Sequence, residues 1–555
     1  MMRRVLCAFV SLAAGAQGAL AQAPPERAVL EIPDSVVIQG RAQYQLQTGG
    51  NKNFTYYAKA FPVDRADTRY SFASVTTLPA LSSKETFPTP VRHGAVRATQ
   101  IRCVAQHYGN VLVSADRVAD WRGWLFSGDG ELGGGRGHTS GAGWHREAIS
   151  GRVRQVVTWR SAYDAQLALE NGRTGIWSAL NQSHRDYLKL DAGVGLERIL
   201  AGDHEVRLDV DAQQRRIGGP EASVSEQAFY SRLAWQKASG RFWVSANATA
   251  DVVHTSRSVG AKGFGSLITV SGEAWTRPEE NFGGALGVTI YTVDYLAGDS
   301  LRTIRPSVTA WARILNLVKF TGRLTSGVDR LGIWEAYQAN PMLNVATPLR
   351  MPFRSVDIDV NAETSLEHSN VVTVGLRQLV IKDYPVWVMK DTLTVWQGQF
   401  PTEPYVRDQF ALDYRYTGIE NASVTAFYAR YQHTWKQGSI DALGIWRVHA
   451  LKEQKVPYVP DWEVHLGANI PFRQSAIFSP AVHVTGPRSY VATKAVDELA
   501  KLGTYATVDL DASIPLRRGW LLTASLRNLL NQGYERWDGF KEPGFHLQVG
   551  VRRTW

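Results

Sequence analysis

Apolar and polar residues alternate with a period of two along most of this chain. Ile38, Gly40, Ala42, Tyr44 and Leu46 interleave with Gln39, Arg41, Gln43, Gln45 and Gln47. Leu188, Leu190, Ala192, Val194 and Leu196 interleave with Lys189, Asp191, Gly193, Gly195 and Glu197. Val206, Leu208, Val210 and Ala212 interleave with Arg207, Asp209, Asp211 and Gln213. The alternation returns over 242–252, 356–363 and 507–514. Successive side chains of a strand point to opposite sides, so each segment is a strand with one apolar and one polar face. A soluble sandwich would pack such apolar faces together. A membrane barrel would turn them to lipid and keep the polar faces on a wet interior. Segments of about ten residues, enough to cross a bilayer at a tilt, favour the barrel. So do the rows of Asp, Glu, Arg and Lys on the polar faces.

The connections take turns in length as well. Pro515 to Gly519, Pro471 to Ser475 and Thr417 to Asn421 are short, while 451–462, 487–503 and 528–544 are long and polar. Tight turns on one side and extended loops on the other are barrel topology. Residues 61–151 show the least alternation and contain Pro79, Pro88 and Pro90, which suits a long outer loop, or a segment folded inward to narrow the lumen, rather than central strands.

The chain's start reads as an export signal. Met1-Met2-Arg3-Arg4 is basic, Val5 to Ala16 is apolar, and Ala19-Leu20-Ala21 is a small-x-small cleavage site. Cleavage after Ala21 leaves 534 residues with a charge of +8 and Cys103 as the only cysteine. A lone cysteine in an oxidising compartment reads as a small packing residue. Nothing in the mature chain approaches the ~18 consecutive apolar residues of a spanning helix. The full chain of 555 residues has 61 Lys+Arg, 51 Asp+Glu, 18 Trp and 21 Tyr. The mixed charge gives no nucleic-acid signature. The Trp and Tyr content suits interfacial girdles, with Trp520 and Trp555 as members.

The last strand is Phe545 to Trp555, with Phe545, Leu547, Val549 and Val551 on one face. Gln548, Gly550 and Trp555 match the C-terminal signal read by the barrel-assembly machinery of outer membranes; Arg553 stands where that signal is usually apolar or aromatic. Upstream lie Leu526-Arg527-Asn528-Leu529-Leu530-Asn531-Gln532-Gly533-Tyr534, then Pro543-Gly544, and earlier Val456-Pro457-Tyr458-Val459-Pro460-Asp461-Trp462. Over residues 405–555 these motifs resemble the barrels of TonB-dependent receptors, although Phe545 replaces the family's usual Arg. The resemblance implies a closed antiparallel barrel of 22 strands in the outer membrane, which allows about 24 residues per strand and connection. Family members carry an N-terminal plug inside the barrel. Alternation that begins near Val36 leaves no room for one here, so the expected form is plugless.

The expected organisation is a signal peptide at 1–21, a short periplasmic segment at 22–34 and the barrel at 35–555. Strand parity puts Arg207, Asp209, Asp211, Asp357, Asp359, Asn361, Asp509 and Asp511 on the lumen. No catalytic, cofactor or metal site is expected. Gly133 to His138 lacks the Lys-Ser/Thr of a phosphate loop and reads as part of an outer loop, and His138, His145, Asp129 and Glu131 match no metal-ligand spacing. The implied partners are outer-membrane lipid and lipopolysaccharide, the assembly machinery, and a periplasmic or plug protein. Two functions follow: a channel moving a solute or polymer across the outer membrane, or a binding or scaffold barrel without an open pore.

Overall fold

A computed structural model describes residues 97–554, apart from 340–351, 390–413, 451–455, 492–498 and shorter stretches at other connections. Among the described residues, twenty-two strands form one sheet. Strands β1 to β5 are Arg97–Gln106, Asn110–Trp121, Trp124–Gly135, Trp144–Thr158 and Ser161–Trp177. Strands β6 to β10 are Gln182–Leu200, His204–Gly218, Ser223–Ser239, Phe242–Arg257 and Gly263–Thr276. Strands β11 to β15 are Phe282–Asp294, Ser300–Ile314, Val318–Val328, Phe353–Leu366 and Asn370–Lys382. Strands β16 to β19 are Ala422–Trp435, Gly438–Ala450, Trp462–Phe472 and Ala476–Thr485. Strands β20 to β22 are Tyr505–Pro515, Trp520–Arg527 and His546–Thr554. Each pairs antiparallel with its neighbour in sequence. The sheet closes where Gln100 to Gln106 of β1 lie opposite Thr554 to Gln548 of β22. Closure leaves no unpaired edge along the wall.

Connection length follows parity clearly from β13 onward, while the earlier connections are short on both rims. One rim carries only links such as 122–123, 240–241 and 436–437. The other carries 329–352, 383–421, 486–504 and 528–545. Exposed aromatic residues gather at the short rim: Phe126, Tyr163, Phe242, Phe282, Phe320, Phe472 and Trp520. Trp520 also receives the Arg553 guanidinium 5.1 Å from its ring centroid, so the atypical arginine of the last strand has an aromatic seat.

Polarity switches partway along the strands, a change of phase that a single continuous alternation does not contain. Toward the short rim, one face exposes Val194, Leu208, Leu233 and Val244, while the other holds charged pairs. Toward the long rim the second face becomes buried and partly apolar, with Ile217 and Val293 at 0 % exposure beside Val224 and Val253, interleaved with buried Arg215 and Glu226. On β7 and β8 the first face becomes polar there, with Gln214, Arg216 and Gln227 exposed, while Phe264, Trp446 and Val448 remain exposed and apolar near the same rim. Leu379, Ile381, Val424, Tyr428 and Ile445 form one such buried patch at the long rim, and Val456 and Val459 from the 451–461 connection cover it.

Several expectations change. Residues 97–151 are not a loop; they build β1 to β3 and half of β4. The alternation was hidden because Gly128, Gly130 and Gly133 to Gly135 stand where side chains would mark the faces. Glycine is needed at 133, where a Cβ would sit 2.6 Å from Leu112 Cδ1, and at 135, which lies against Asn110. Thr417 to Asn421 belongs to the long connection 383–421, and the matching short turn is 436–437, which carries no Pro or Asn-Gly signal. Cys103 is exposed on the apolar face of β1 rather than packed inside. The export signal, the periplasmic segment, the Ile38 strand, the plugless reading and Trp555 fall outside the described residues.

The seam makes one expectation concrete. A Cβ at Gly550 would meet Thr523 Oγ1 at 2.7 Å and Val104 Cγ2 at 3.0 Å, whereas Gly444 has open space. Refolded from urea into detergent, Gly550→Val should give several-fold less heat-modifiable barrel than wild type, and Gly444→Val should match wild type.

Candidate functional site

The residues assigned to the lumen lie on the polar face, and they are paired, some along one strand and some across strands. On β7, Arg207 donates to Asp209 at 2.8 and 3.0 Å, and Asp211 accepts from Gln166 at 3.3 Å. On β14, Asp357 is fully buried and takes two 2.8 Å hydrogen bonds from Arg377. Arg354 and Arg323 stand 3.3 and 3.8 Å from the same carboxylate. Asp359 accepts from the Tyr428 hydroxyl at 2.9 Å and from Asn361 at 3.5 Å. On β20, Arg527 reaches Asp509 at 3.4 Å and Asp511 at 3.0 Å, and Ser525 also donates to Asp511. The Asn528 N–H caps Asp509 at 2.9 Å.

These three groups are spread round the wall on β7, β14 and β20, so they do not converge on one centre. A strand carries its charges in a row, and the neighbouring strand supplies the opposite sign at matched register. Arg152–Asp164 at 2.9 Å and Arg447–Glu463 at 2.6 Å pair across neighbouring strands, while Lys189–Asp191 at 2.7 Å pairs along one strand, as Arg207 and Asp209 do. Among the described residues no group of three or more His, Cys, Asp or Glu is arranged to hold a metal ion. Glu131 is engaged by Arg146 at 2.9 Å, and His145 by Glu147 at 3.2 Å. Of the assembly residues, Gln548 is buried on the polar face, opposite Gln106 and Ser525, and Gly550 lies between Val104 and Thr523.

The Asn-Leu-x-Asn motif after β21 is a knot at the long rim. Asn528 and Asn531 take positive φ of 48° and 49°, which asparagine tolerates better than most residues. The Asn528 side chain donates to the carbonyls of Gln532 and Pro543, and Asn531 accepts from the Phe545 N–H at 2.8 Å. Tyr534 stacks on Tyr505 with centroids 4.1 Å apart, fixing the entry to the last strand.

One feature has no counterpart in the sequence reading. Within the connection 329–352, Ile333–Ala339 forms a short helix, α1. It packs on the polar face of β5 to β8. Glu335 reaches back to the Gly332 N–H at 3.1 Å, one half of a capping box. The same carboxylate meets Arg215 of β7 at 2.8 Å. Glu226 of β8 accepts from the Ile333 N–H at 2.8 Å and stands 3.6 Å from Arg215. Trp334 and Tyr337 close on Tyr187 of β6, with centroids 5.3 and 6.0 Å away. All of these side chains are buried. Burial pushes the Tyr337 phenol up to about 12, so this anchor stays neutral at physiological pH. Gly332 followed by Ile-Trp-Glu was the available signal, but a seven-residue helix is too short to show a period.

No protein-family model matches the sequence, and no curated protein does. Solved structures do match. The FrpB iron transporter from Neisseria meningitidis superposes with a TM-score of 0.65 at 8 % identity, over 83 % of this chain and 83 % of its own. The ferripyoverdine receptor of the outer membrane of Pseudomonas aeruginosa gives 0.63 at 10 % identity, over 83 % and 72 %. The copper transporter OprC gives 0.63 at 12 % identity, over 83 % and 80 %. The fold is therefore the 22-strand barrel that TonB-dependent receptors have.

Breaking a buried ion pair strands its partner, at a cost of about 3–5 kcal/mol, whereas an exposed pair contributes about 0–1 kcal/mol. Asp357→Ala, which orphans Arg377, should lower stability by the first amount in urea unfolding from detergent. Asp186→Ala, which removes the exposed 2.7 Å pair with Arg173, should fall within the second.

Proposed function

We propose that this chain is an outer-membrane transport barrel whose polar face lines a water-filled lumen and whose α1 helix narrows that lumen at the long rim. The apolar face meets lipid between the aromatic belt of the short rim and the polarity switch. The observation that carries the reading is the position of α1. From Val328 to Ile333 the chain can span roughly 18 Å at full extension. Following the wall from β13 to β8 crosses five strand spacings, about 24 Å or more. Val328 and the start of α1 are thus closer together than the path along the wall, and this supports the polar face as the concave, inner one.

The cargo passes by diffusion or threading along a wall of neutralised charge pairs, so no single strong ion site holds it. A 22-strand lumen without occlusion would leak. α1 supplies part of the closure, and a periplasmic or plug partner supplies the rest. Residues 1–21 direct export, and Gln548, Gly550 and Trp555 present the last strand to the assembly machinery. The fold's solved neighbours include carriers of iron and copper and a receptor for ferripyoverdine, which supports transport over chemistry.

Single-channel conductance in planar bilayers tests this. Wild type should show small or intermittent currents, and Glu335→Ala should raise them several-fold by freeing α1 from Arg215. A folded barrel that stays silent in both forms would contradict an open lumen and favour the binding-scaffold function.

A further inference from the structure

We infer that the inner wall at β12 to β14 carries a weak station for oxyanions, the phosphate or carboxylate groups of an anionic cargo; this rests on the polar face being the lumen, as proposed above. The ion pairs described above cancel one another, but this cluster carries an excess of positive charge. Among the described residues, the guanidinium groups of Arg305, Arg323, Arg354 and Arg377 gather here against two carboxylates, Asp357 and Asp359. Arg377 already holds both oxygens of Asp357 at 2.8 Å, and Arg354 donates to one of them at 3.3 Å. Arg323 is left at 3.8 Å, beyond hydrogen-bonding range. Asp359 is taken up by the Tyr428 hydroxyl and Asn361.

Arg305 has no carboxylate partner among the described residues. Its guanidinium lies over the Phe353 ring, 5.1 Å from the centroid, and its Nε is buried without a hydrogen-bond acceptor. The Nε of Arg323 is in the same condition. Nearby carboxylates do not answer these donors. Glu363 of β14 stands opposite Lys319, and Glu273 of β10 is two strands away from β12.

The backbone opens a slot at this point. The ladder between β12 and β13 ends at Val308–Leu324, and Gly327 lies beyond it toward the long rim. A Cβ at Gly327 would meet Arg354 Nη2 at 3.2 Å and the Tyr291 hydroxyl at 3.9 Å. A bare backbone at 327 therefore leaves space between Arg305 on one side and Phe353 and Arg354 on the other. Val293, Leu301 and Val328 pack beside Tyr291. Low-dielectric walls around one sign of charge concentrate its field. Guanidinium forks match phosphate and carboxylate oxygens in pairs. Asp357 and Asp359 oppose the same anion, which keeps it loose enough to move on, as a conducting site requires.

The test uses the full mature chain, refolded in detergent, with inorganic pyrophosphate as the probe. A ligand that binds only the folded form raises its stability. Pyrophosphate should therefore raise the urea midpoint of wild type, and sodium chloride at equal ionic strength should not match it. Arg305→Gln, which breaks no ion pair, should keep the wild-type midpoint without pyrophosphate and lose most of the rise with it. Arg305→Gln with Arg323→Gln should lose the rise entirely. Arg152→Gln, on the same face but paired with Asp164, should show the full rise. A rise equal in all these proteins, or absent from wild type, would overturn the station. Conductance tests its use. In planar bilayers the Glu335→Ala barrel should prefer anions to cations several-fold, and adding Arg305→Gln and Arg323→Gln should bring that ratio close to unity. An unchanged ratio would overturn the assignment to cargo. A silent Glu335→Ala barrel with its pyrophosphate response intact would instead overturn the open lumen proposed above and leave the anion site standing.

Discussion

Closure of the hydrogen-bonded wall is the constraint on which everything else rests. A sheet edge in lipid would leave backbone donors and acceptors without partners, at several kcal/mol each. The pairing of β1 with β22 removes that edge. It also fixes the register of every strand, and register decides which residues face in and which face out. Small residues at the seam matter for this reason: Gly550 admits Val104 and Thr523, and a larger residue would hold the last strand off the first.

With register fixed, the strands carry two environments in sequence. In the lower zone one face is apolar and exposed and the other is charged, the arrangement that the proposed membrane placement requires. In the upper zone the second face is buried and mixes apolar residues such as Ile217 and Val253 with ion-paired ones such as Arg215 and Glu226. The upper inner face then needs cover, and the long connections provide it: Val456 and Val459 over β15 to β17, and α1 over β5 to β8. The helix is held by a buried Arg215–Glu335 pair with Glu226 close by, and by three aromatic rings. The lower inner face instead neutralises itself through cross-strand pairs such as Arg527 with Asp509 and Asp511.

Much of the fold was legible because period-two alternation and connection length are local signals. Val206 to Gln213 announces its two faces, and Pro515 to Gly519 announces its turn. The strands from 97 to 151 were not legible, since β3 writes its faces in glycine. The turn at 436–437 was hidden by ordinary residues. Alternation alone groups Arg207, Asp209 and Asp211, or Asp509 and Asp511, on one face of their strands, but partners such as Arg377 for Asp357 and Arg527 for Asp511 lie on other strands and depend on register. The α1 contacts were beyond reach for a stronger reason. Glu335 meets Arg215 across 120 residues of chain, and only the closed wall brings them together.

The most direct measurement of the central claim is thiol accessibility along β7. With Cys103 replaced by alanine, single cysteines would be placed at each position from 206 to 211, and the intact outer membrane exposed to a small hydrophilic thiol reagent. The account predicts labelling at 207, 209 and 211 and protection at 206, 208 and 210, where only a lipid-soluble reagent should react. The opposite parity, or uniform labelling, would contradict a wet charged interior enclosed by an apolar outer wall.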